Sequence, residues 1–141
     1  MVRLKIKKLS ASAKVPSIAY HGDAGFDVYS DEDKTLAPGE HYSFATGIAM
    51  EVPPGFVALV WDKSGLSHKF ALKTLGGVID EGFRGECKIG LINLGREEMI
   101  IKKGDKLAQV LIQKVEKPEI KEVASLSKTE RGERGFGSSG K

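Results

Sequence analysis

The chain has 141 residues, of which 40% are hydrophobic and 29% are charged, with a net charge of +3 and a single cysteine. That length predicts one domain with a sizeable core, and the composition is typical of a soluble globular protein. The mild charge does not call for a nucleic-acid partner, and no apolar run is long enough to span a membrane. The lone Cys87 excludes an intrachain disulfide, which suits a reducing cytoplasm, and no His/Cys metal cluster is expected.

The first strands alternate in polarity. Val2, Leu4 and Ile6 share one face of a strand, which is unlike a signal peptide. Residues 26–29 form the next strand, and Asp27 and Tyr29 lie on the face opposite Phe26 and Val28. Asp27 is therefore either a surface carboxylate on a polar face or a group that faces a cation or a phosphate-bound metal.

Two strands with different patterns follow. Residues 42–51 alternate and are predicted to form one strand. Residues 56–61 are continuously apolar, which favours a strand buried on both faces. The strand ends in Lys63-Ser64-Gly65, which is either a short helix or turn that offers N–H groups to a phosphate or a plain polar turn with Ser64 as a helix cap.

The most unusual stretch is 76–85, which contains four glycines. Val78 and Ile79 favour a strand, and Asp80 is predicted near the bend of a β-hairpin that returns through residues 86–92. One interpretation is a tight surface hairpin with a solvated aspartate. The other is a notch whose open backbone groups bind a flat ligand beside Asp80.

The carboxy-terminal part contains a short strand at 99–101 and a long apolar strand at 106–115. Gln109 interrupts the long strand and must bond either to neighbouring backbone or to a ligand. A last short strand is expected within 120–126.

The tail cannot pack a core, since residues 131–141 hold four glycines and one aromatic. It is either a disordered end or a flap that brings arginine to a phosphate and Phe136 to a flat ring. We therefore predict a β-barrel domain over 1–126 and a flexible tail over 127–141. Because no segment carries a long helical period, the expected fold is an all-β barrel or sandwich of the jelly-roll type, with a short helix at most.

Five segments, taken in sequence order, resemble the five ordered motifs of the dUTPases, the family of dUTP diphosphatases. The segments are residues 24–27 (Ala-Gly-Phe-Asp), 63–66 (Lys-Ser-Gly-Leu), 77–85 (Gly-Val-Ile-Asp-Glu-Gly-Phe-Arg-Gly), 104–109 (Gly-Asp-Lys-Leu-Ala-Gln) and 131–138. The resemblance spans nearly the whole chain, and the third and fifth segments are the most specific.

The resemblance implies hydrolysis of dUTP to dUMP and pyrophosphate with Mg²⁺. That reaction would limit uracil incorporation into DNA and supply dUMP for thymidylate synthesis. The resemblance also implies a homotrimer of jelly-roll subunits, with active sites at the interfaces and the tail of another chain closing each one.

By the same resemblance, Asp80 is the general base that activates water for attack on the α-phosphorus. Phe83 stacks under the deoxyribose and leaves no room for a 2′-hydroxyl, and Asp27 acts through the water shell of the metal. The other expected substrate contacts are Lys63, Ser64, Gly65 and Gln109 for the phosphates, Thr74, Gly77, Val78, Ile79 and Lys88 for the uracil edge, and Arg131, Phe136 and Gly137 from the tail.

Three positions depart from the family pattern. Lys63 stands where arginine is usual, so the charge is kept and the bidentate fork is lost. Phe83 stands where tyrosine is usual, which keeps stacking without a hydroxyl. Glu133 and Arg134 stand where small residues are usual, and Glu133 is expected to face solvent.

Other functions remain open at this point. A dCTP deaminase would need a glutamate near the pyrimidine C4, and Glu81 and Glu86 are the nearest acids. A non-catalytic nucleotide-binding barrel is a second alternative. A nucleic-acid-binding barrel is the third, although aromatic residues make up only 7% of the chain and form no basic-aromatic stripe.

Overall fold

The computed structural model describes residues 2–135, and the all-β prediction is confirmed within them. The strands are β1 Lys5–Lys8, β2 Phe26–Tyr29, β3 Lys34–Leu36, β4 His41–Phe44, β5 Ile48–Glu51, β6 Phe56–Trp61, β7 Leu72–Leu75, β8 Val78–Ile79, β9 Ile89–Asn93, β10 Met99–Ile101 and β11 Lys106–Lys114, and the helix is α1 Ser64–Phe70. All strand pairs are antiparallel, in the orders β1-β5, β3-β10, β2-β11-β6-β8 and β4-β9-β7. This is a jelly-roll-like arrangement.

The alternating stretch at 42–51 forms two strands rather than the predicted one. Its alternate positions are buried, as the pattern indicated: Phe44, Thr46, Ile48 and Met50. The ladder breaks between β4 and β5, at Gly47, where φ is +64°. A Cβ on Gly47 would lie 2.7 Å from an Asp31 carboxylate oxygen, so the chain bends where only glycine fits.

β6 confirms the predicted strand but not its burial. Only Ala58 is fully buried, and the Trp61 side chain is 54% exposed. One face of β6 packs on the core, while much of the other face is accessible to solvent. The continuous apolar run therefore makes both faces of the strand apolar, and the single chain covers only one of them.

The predicted hairpin over 76–92 is wrong in its pairing. β8 pairs with β6, through Ile79 opposite Ala58, whereas β9 pairs with β7 and β4 in a different sheet. The chain therefore crosses between sheets within the glycine-rich segment. Asp80 does lie at a turn, since the Phe83 N–H donates to the Asp80 carbonyl at 3.1 Å.

Residues 115–135 contain no helix or strand, so the strand predicted within 120–126 is wrong for the single chain. Ile120 is 95% exposed and Leu126 is 86% exposed, which leaves this segment without a core to pack against. Among the described residues, no helix is both long and apolar enough to cross a membrane.

Candidate active site

Asp27 lies in a row of three neighbouring strands. It is opposite Gln109 of β11, which is in turn opposite Trp61 of β6. The surface interpretation of Asp27 is wrong, because the residue is only 4% exposed. Two lysines reach it: Lys63 Nζ lies 2.8 Å from Oδ1, and Lys106 Nζ lies 2.6 Å from Oδ2.

The two ammonium groups keep the buried carboxylate ionised. Burial raises the pKa of Asp27, but hydrogen bonds and charge from Lys106 and Lys63 outweigh burial and hold the pKa below its ordinary value. The same contact raises the pKa of Lys106. One negative and two positive charges leave an excess positive charge, which suits a polyphosphate.

The first turn of α1 borders this carboxylate. The Lys63 carbonyl accepts hydrogen bonds from the Leu66 and Ser67 N–H groups at 3.0 and 2.9 Å. Lys63 is therefore the N-cap, it makes no side-chain capping bond, and the alternative of Ser64 as the cap is wrong. Ser64 and Gly65 are exposed in the first turn, beside the positive charge of Lys63.

Gln109 confirms the expectation of a backbone bond. Its side-chain N–H donates to the Asp62 carbonyl at 2.9 Å, which ties β11 to the end of β6. We name Asp27, Lys63, Ser64, Gly65, Lys106 and Gln109 the Asp27 cluster.

Asp62 links this cluster to β7, a role that the sequence reasoning missed. Its Oδ1 accepts the Thr74 N–H and hydroxyl, both at 2.7 Å, and Lys73 Nζ lies 3.1 Å from its Oδ2. Burial raises the pKa of Asp62, but the bonds from Thr74 and Lys73 outweigh it, so the pKa lies below its ordinary value. The sequence did offer a signal for Asp62, because an acidic residue stands directly between an apolar strand and Lys63.

The glycine-rich loop, residues 76–88 (the Asp80 loop), begins against β6. The Gly77 carbonyl accepts the Val60 N–H at 2.7 Å, and a Cβ on Gly77 would lie 2.9 Å from the Val60 carbonyl oxygen. Gly77 also has a φ of +131°, so this close approach requires glycine. β8 then forms the edge of its sheet, and its outer edge has no strand partner within residues 2–135.

Asp80 and Phe83 stand outward from this loop. Asp80 is exposed, and the Phe83 side chain is 45% exposed. Arg84 Nη1 donates to the Glu81 and Phe83 carbonyls at 2.6 and 2.9 Å, which fixes the turn that carries them. Lys88 is also exposed, and its N–H donates to the Glu86 carbonyl at 3.1 Å.

The single chain does not bring Asp80 to Asp27. β8 and β2 are the two outer strands of the four-stranded sheet, and Asp80 follows Ile79 toward the opposite end from Asp27. Three strand spacings across the sheet and about four residues of rise put the Cα atoms of the two residues roughly 20 Å apart.

The two glutamates required by a deaminase have structural partners. Glu81 accepts the Gly55 N–H at 2.6 Å and pairs with Lys117, while Glu86 accepts the Gly47 N–H at 2.9 Å. Each carboxylate ties the Asp80 loop to another segment, so neither is placed as a free base.

Arg131 lies in the exposed carboxy-terminal segment, where its Nε donates to the Arg134 carbonyl at 2.9 Å. The predicted contacts Phe136 and Gly137 lie outside the described residues.

A divalent metal has one suitable carboxylate in the Asp27 cluster. Residues 2–135 contain no group of three His, Cys, Asp or Glu side chains that could hold a metal by itself. Asp27 Oδ2 is buried and has no hydrogen bond of good geometry, although Lys106 Nζ is close. A hard oxygen ligand of this kind fits Mg²⁺, which commonly uses one or two carboxylates together with water and substrate phosphates.

Comparisons with known proteins agree with this geometry. The family model described as dUTPase matches residues 11–140. Deoxyuridine 5′-triphosphate nucleotidohydrolase from Clostridium acetobutylicum is 47% identical over 99% of this chain and 98% of its own, and the one from Clostridium kluyveri is 45% identical over 99% of both. A Staphylococcus bacteriophage 80alpha dUTPase G164S mutant solved with dUpNHpp has a TM-score of 0.92 and 32% identity over 98% of both chains. With the strands and motif residues arranged as above, these matches show that the chain belongs to the dUTPase family of dUTP diphosphatases.

Proposed function

We propose that the chain hydrolyses dUTP to dUMP and pyrophosphate, with the Asp27 cluster holding the triphosphate and the Asp80 loop holding the nucleoside. The observation that carries the proposal is the buried Asp27 between Lys63 and Lys106. This arrangement joins an anion-binding charge to a carboxylate that suits a hydrated metal.

Asp80 is the proposed general base. It takes a proton from water as the water oxygen attacks the α-phosphorus, and the bond from that phosphorus to the bridging oxygen breaks to release pyrophosphate. Lys63, Ser64, Gly65 and Gln109 orient the phosphates for in-line attack. When bound, Mg²⁺ would neutralise charge on the phosphates, and Asp27 would hold it through its water shell.

The Asp80 loop supplies the proposed selection for uracil and deoxyribose. The outer edge of β8 presents backbone groups that pair with uracil, with Gly77, Val78, Ile79, Thr74 and Lys88 around the ring. Replacing O4 by the amino group of cytosine reverses donor and acceptor, which costs about 1–3 kcal/mol for each polar group left unpaired. Phe83 lies under the sugar and excludes a 2′-hydroxyl.

The active sites are proposed to be shared in a homotrimer. The separation of Asp80 from Asp27 supports a site built from two chains. The exposed Trp61 side chain and the unpacked residues 115–135 support further contacts between chains.

Residues 1–126 are the proposed barrel domain, and residues 127–141 are the proposed flap. Arg131 would contact the distal phosphates, while Phe136 and Gly137 would cover the uracil ring. We place this reaction in the cytoplasm, where it would limit uracil in DNA and supply dUMP, and the buried unpaired Cys87 suits a reducing compartment.

Nucleotide turnover with Mg²⁺ tests the proposal, with dUTP, dCTP, UTP and dTTP offered to the wild type and to Asp80→Asn. We expect dUMP from dUTP alone and a loss of at least about 100-fold in kcat in the variant, since a general base contributes that much or more. Conversion of dCTP to a uracil nucleotide would identify a deaminase instead. Tight dUTP binding without turnover would leave a nucleotide-sensing barrel.

A further inference from the structure

The Phe83 ring lies directly over Gly85. A Cβ built on Gly85 would be 2.7 Å from Phe83 Cζ and 3.0 Å from Cε2, closer than real Cβ contacts allow. Gly85 does not have a positive φ, so backbone conformation is no reason for glycine here. The space taken by the ring is the reason.

The backbone on both sides of this contact is fixed. Before it, the turn is closed by the Phe83 N–H on the Asp80 carbonyl at 3.1 Å, and Arg84 bonds the Phe83 carbonyl. After it, the Cys87 N–H donates to the Ile48 carbonyl at 2.9 Å, and Glu86 bridges to Ala49. A side chain at position 85 would therefore displace the half-exposed ring more readily than the backbone.

We propose that Gly85 is a positioning residue for sugar discrimination, which sets the height at which Phe83 meets the deoxyribose. This inference rests on the proposed function, in which Phe83 denies room to a 2′-hydroxyl. A methyl group at position 85 lifts or rotates the ring. The nucleoside then loses its stacking surface, and the space that excluded the ribonucleotide opens.

The test compares Gly85→Ala with Gly82→Ala, a matched control in the same loop. A Cβ on Gly82 meets nothing within 4 Å, and its φ is not positive. The measurements are kcat/KM for dUTP and for UTP, with more enzyme for the slow substrate. We expect Gly85→Ala to narrow the dUTP-to-UTP ratio by about tenfold, mainly through KM, as for a misfit of one methyl-sized group in a pocket. Gly82→Ala adds a methyl group in the same loop without touching the ring, so the dUTP-to-UTP ratio should stay within about twofold of the wild-type ratio even if the absolute rate changes.

A double-variant cycle separates ring displacement from other effects of the substitution. In a Phe83→Ala background, where no ring remains to be displaced, Gly85→Ala should change the ratio no further. If Gly85→Ala unfolds the protein, removing the ring in the double variant should restore folding, which would confirm the contact.

Two results would overturn the inference. One is a folded Gly85→Ala enzyme with the wild-type ratio, and the other is an equal effect of Gly85→Ala with and without the Phe83 ring. These results differ from a failure of the proposed function, because in that case the wild-type protein itself would not hydrolyse dUTP.

Discussion

The Asp27 cluster and the Asp80 loop fix their carboxylates in different ways. Asp27 is buried and held by two ammonium groups within 2.8 Å, on an outer strand of the four-stranded sheet. Asp80 is exposed on an edge loop, and the contacts that fix that loop are made by its neighbours, Gly77, Glu81 and Arg84.

The difference follows from what each carboxylate is proposed to do. A group that balances charge around a triphosphate can remain paired in the free protein, because incoming phosphates can take over the two ammonium groups while a metal ion takes over the carboxylate. A base must present an oxygen to water, so its position is set through the backbone and its side chain is left accessible. The two positions are roughly 20 Å apart, so the proposal that one site uses both carboxylates requires residues from two chains.

Mixing two variant chains tests most directly whether Asp27 and Asp80 of one active site come from different chains. Asp27→Asn and Asp80→Asn should each be nearly inactive alone. If each site takes its two halves from different chains, an equal, randomly assembled mixture restores about a quarter of wild-type activity, because half of the sites receive each intact half independently. The measurement is dUTP turnover after the chains are unfolded and refolded together.

A matched control uses the double variant Asp27→Asn/Asp80→Asn mixed equally with wild type. Shared sites retain about a quarter of the activity, whereas sites contained within one chain retain about half. No recovery in the first mixture, when mixed oligomers are present, would contradict shared sites. A chain that ends at residue 126, used in place of Asp27→Asn, tests the tail in the same way.

Asp62→Ala should lower both the stability of the protein and its activity. It removes the acceptor for the Thr74 N–H and hydroxyl, and leaving a buried donor unpaired costs about 1–3 kcal/mol of unfolding free energy. We expect that loss in urea unfolding, together with a fall of about tenfold in kcat/KM, comparable to 1.4 kcal/mol. Asp33→Ala is the control, because this exposed carboxylate also accepts a backbone N–H, that of Lys103 at 2.7 Å, but in contact with solvent; its unfolding free energy should change less than that of Asp62→Ala.

A stable, fully active Asp62→Ala protein would show that Thr74 and the end of β6 are positioned without this carboxylate. The role inferred for Asp62, of holding β7 beside the Asp27 cluster, would then be wrong.

Acid should weaken the Asp27 cluster together with the other carboxylates whose pKa is lowered, such as Asp62. The pKa of Asp27 is lowered in the folded chain, because Lys106 and Lys63 outweigh burial. The unfolded chain therefore binds the proton more readily, and the stabilisation is fully present above about pH 3.9 and is lost as pH falls toward the lower folded pKa. Urea unfolding between pH 6 and pH 3 measures this, and Asp27→Asn should have a shallower dependence on pH. Equal dependence in both proteins would contradict the ion-pair argument.

Sequence patterns predicted the structure well where the residues of a single strand are enough to locate that strand. The apolar runs located β6 and β11, and the backbone bond of Gln109 was one of the two alternatives that its place in an apolar strand left open. The burial of Asp27 was not predictable, because it depends on lysines that are distant in the chain. The pairing of β8 with β6 was missed because two residues carry too little pattern to choose a partner. Asp62 was missed because its partner Thr74 lies on another strand.

Glu81 offers the smallest and most selective test, because it is next to Asp80 but has a structural role. Its carboxylate accepts the Gly55 N–H and pairs with Lys117, and it is one of the two acids that a dCTP deaminase could use. Glu81→Gln keeps a side-chain oxygen for Gly55 and loses only a largely exposed ion pair, so the unfolding free energy should fall only slightly. Its kcat for dUTP should stay within about threefold of wild type, as for a surface substitution. A loss as large as that of Asp80→Asn would mean that the two adjacent carboxylates act together, and Asp80 alone would no longer account for the base.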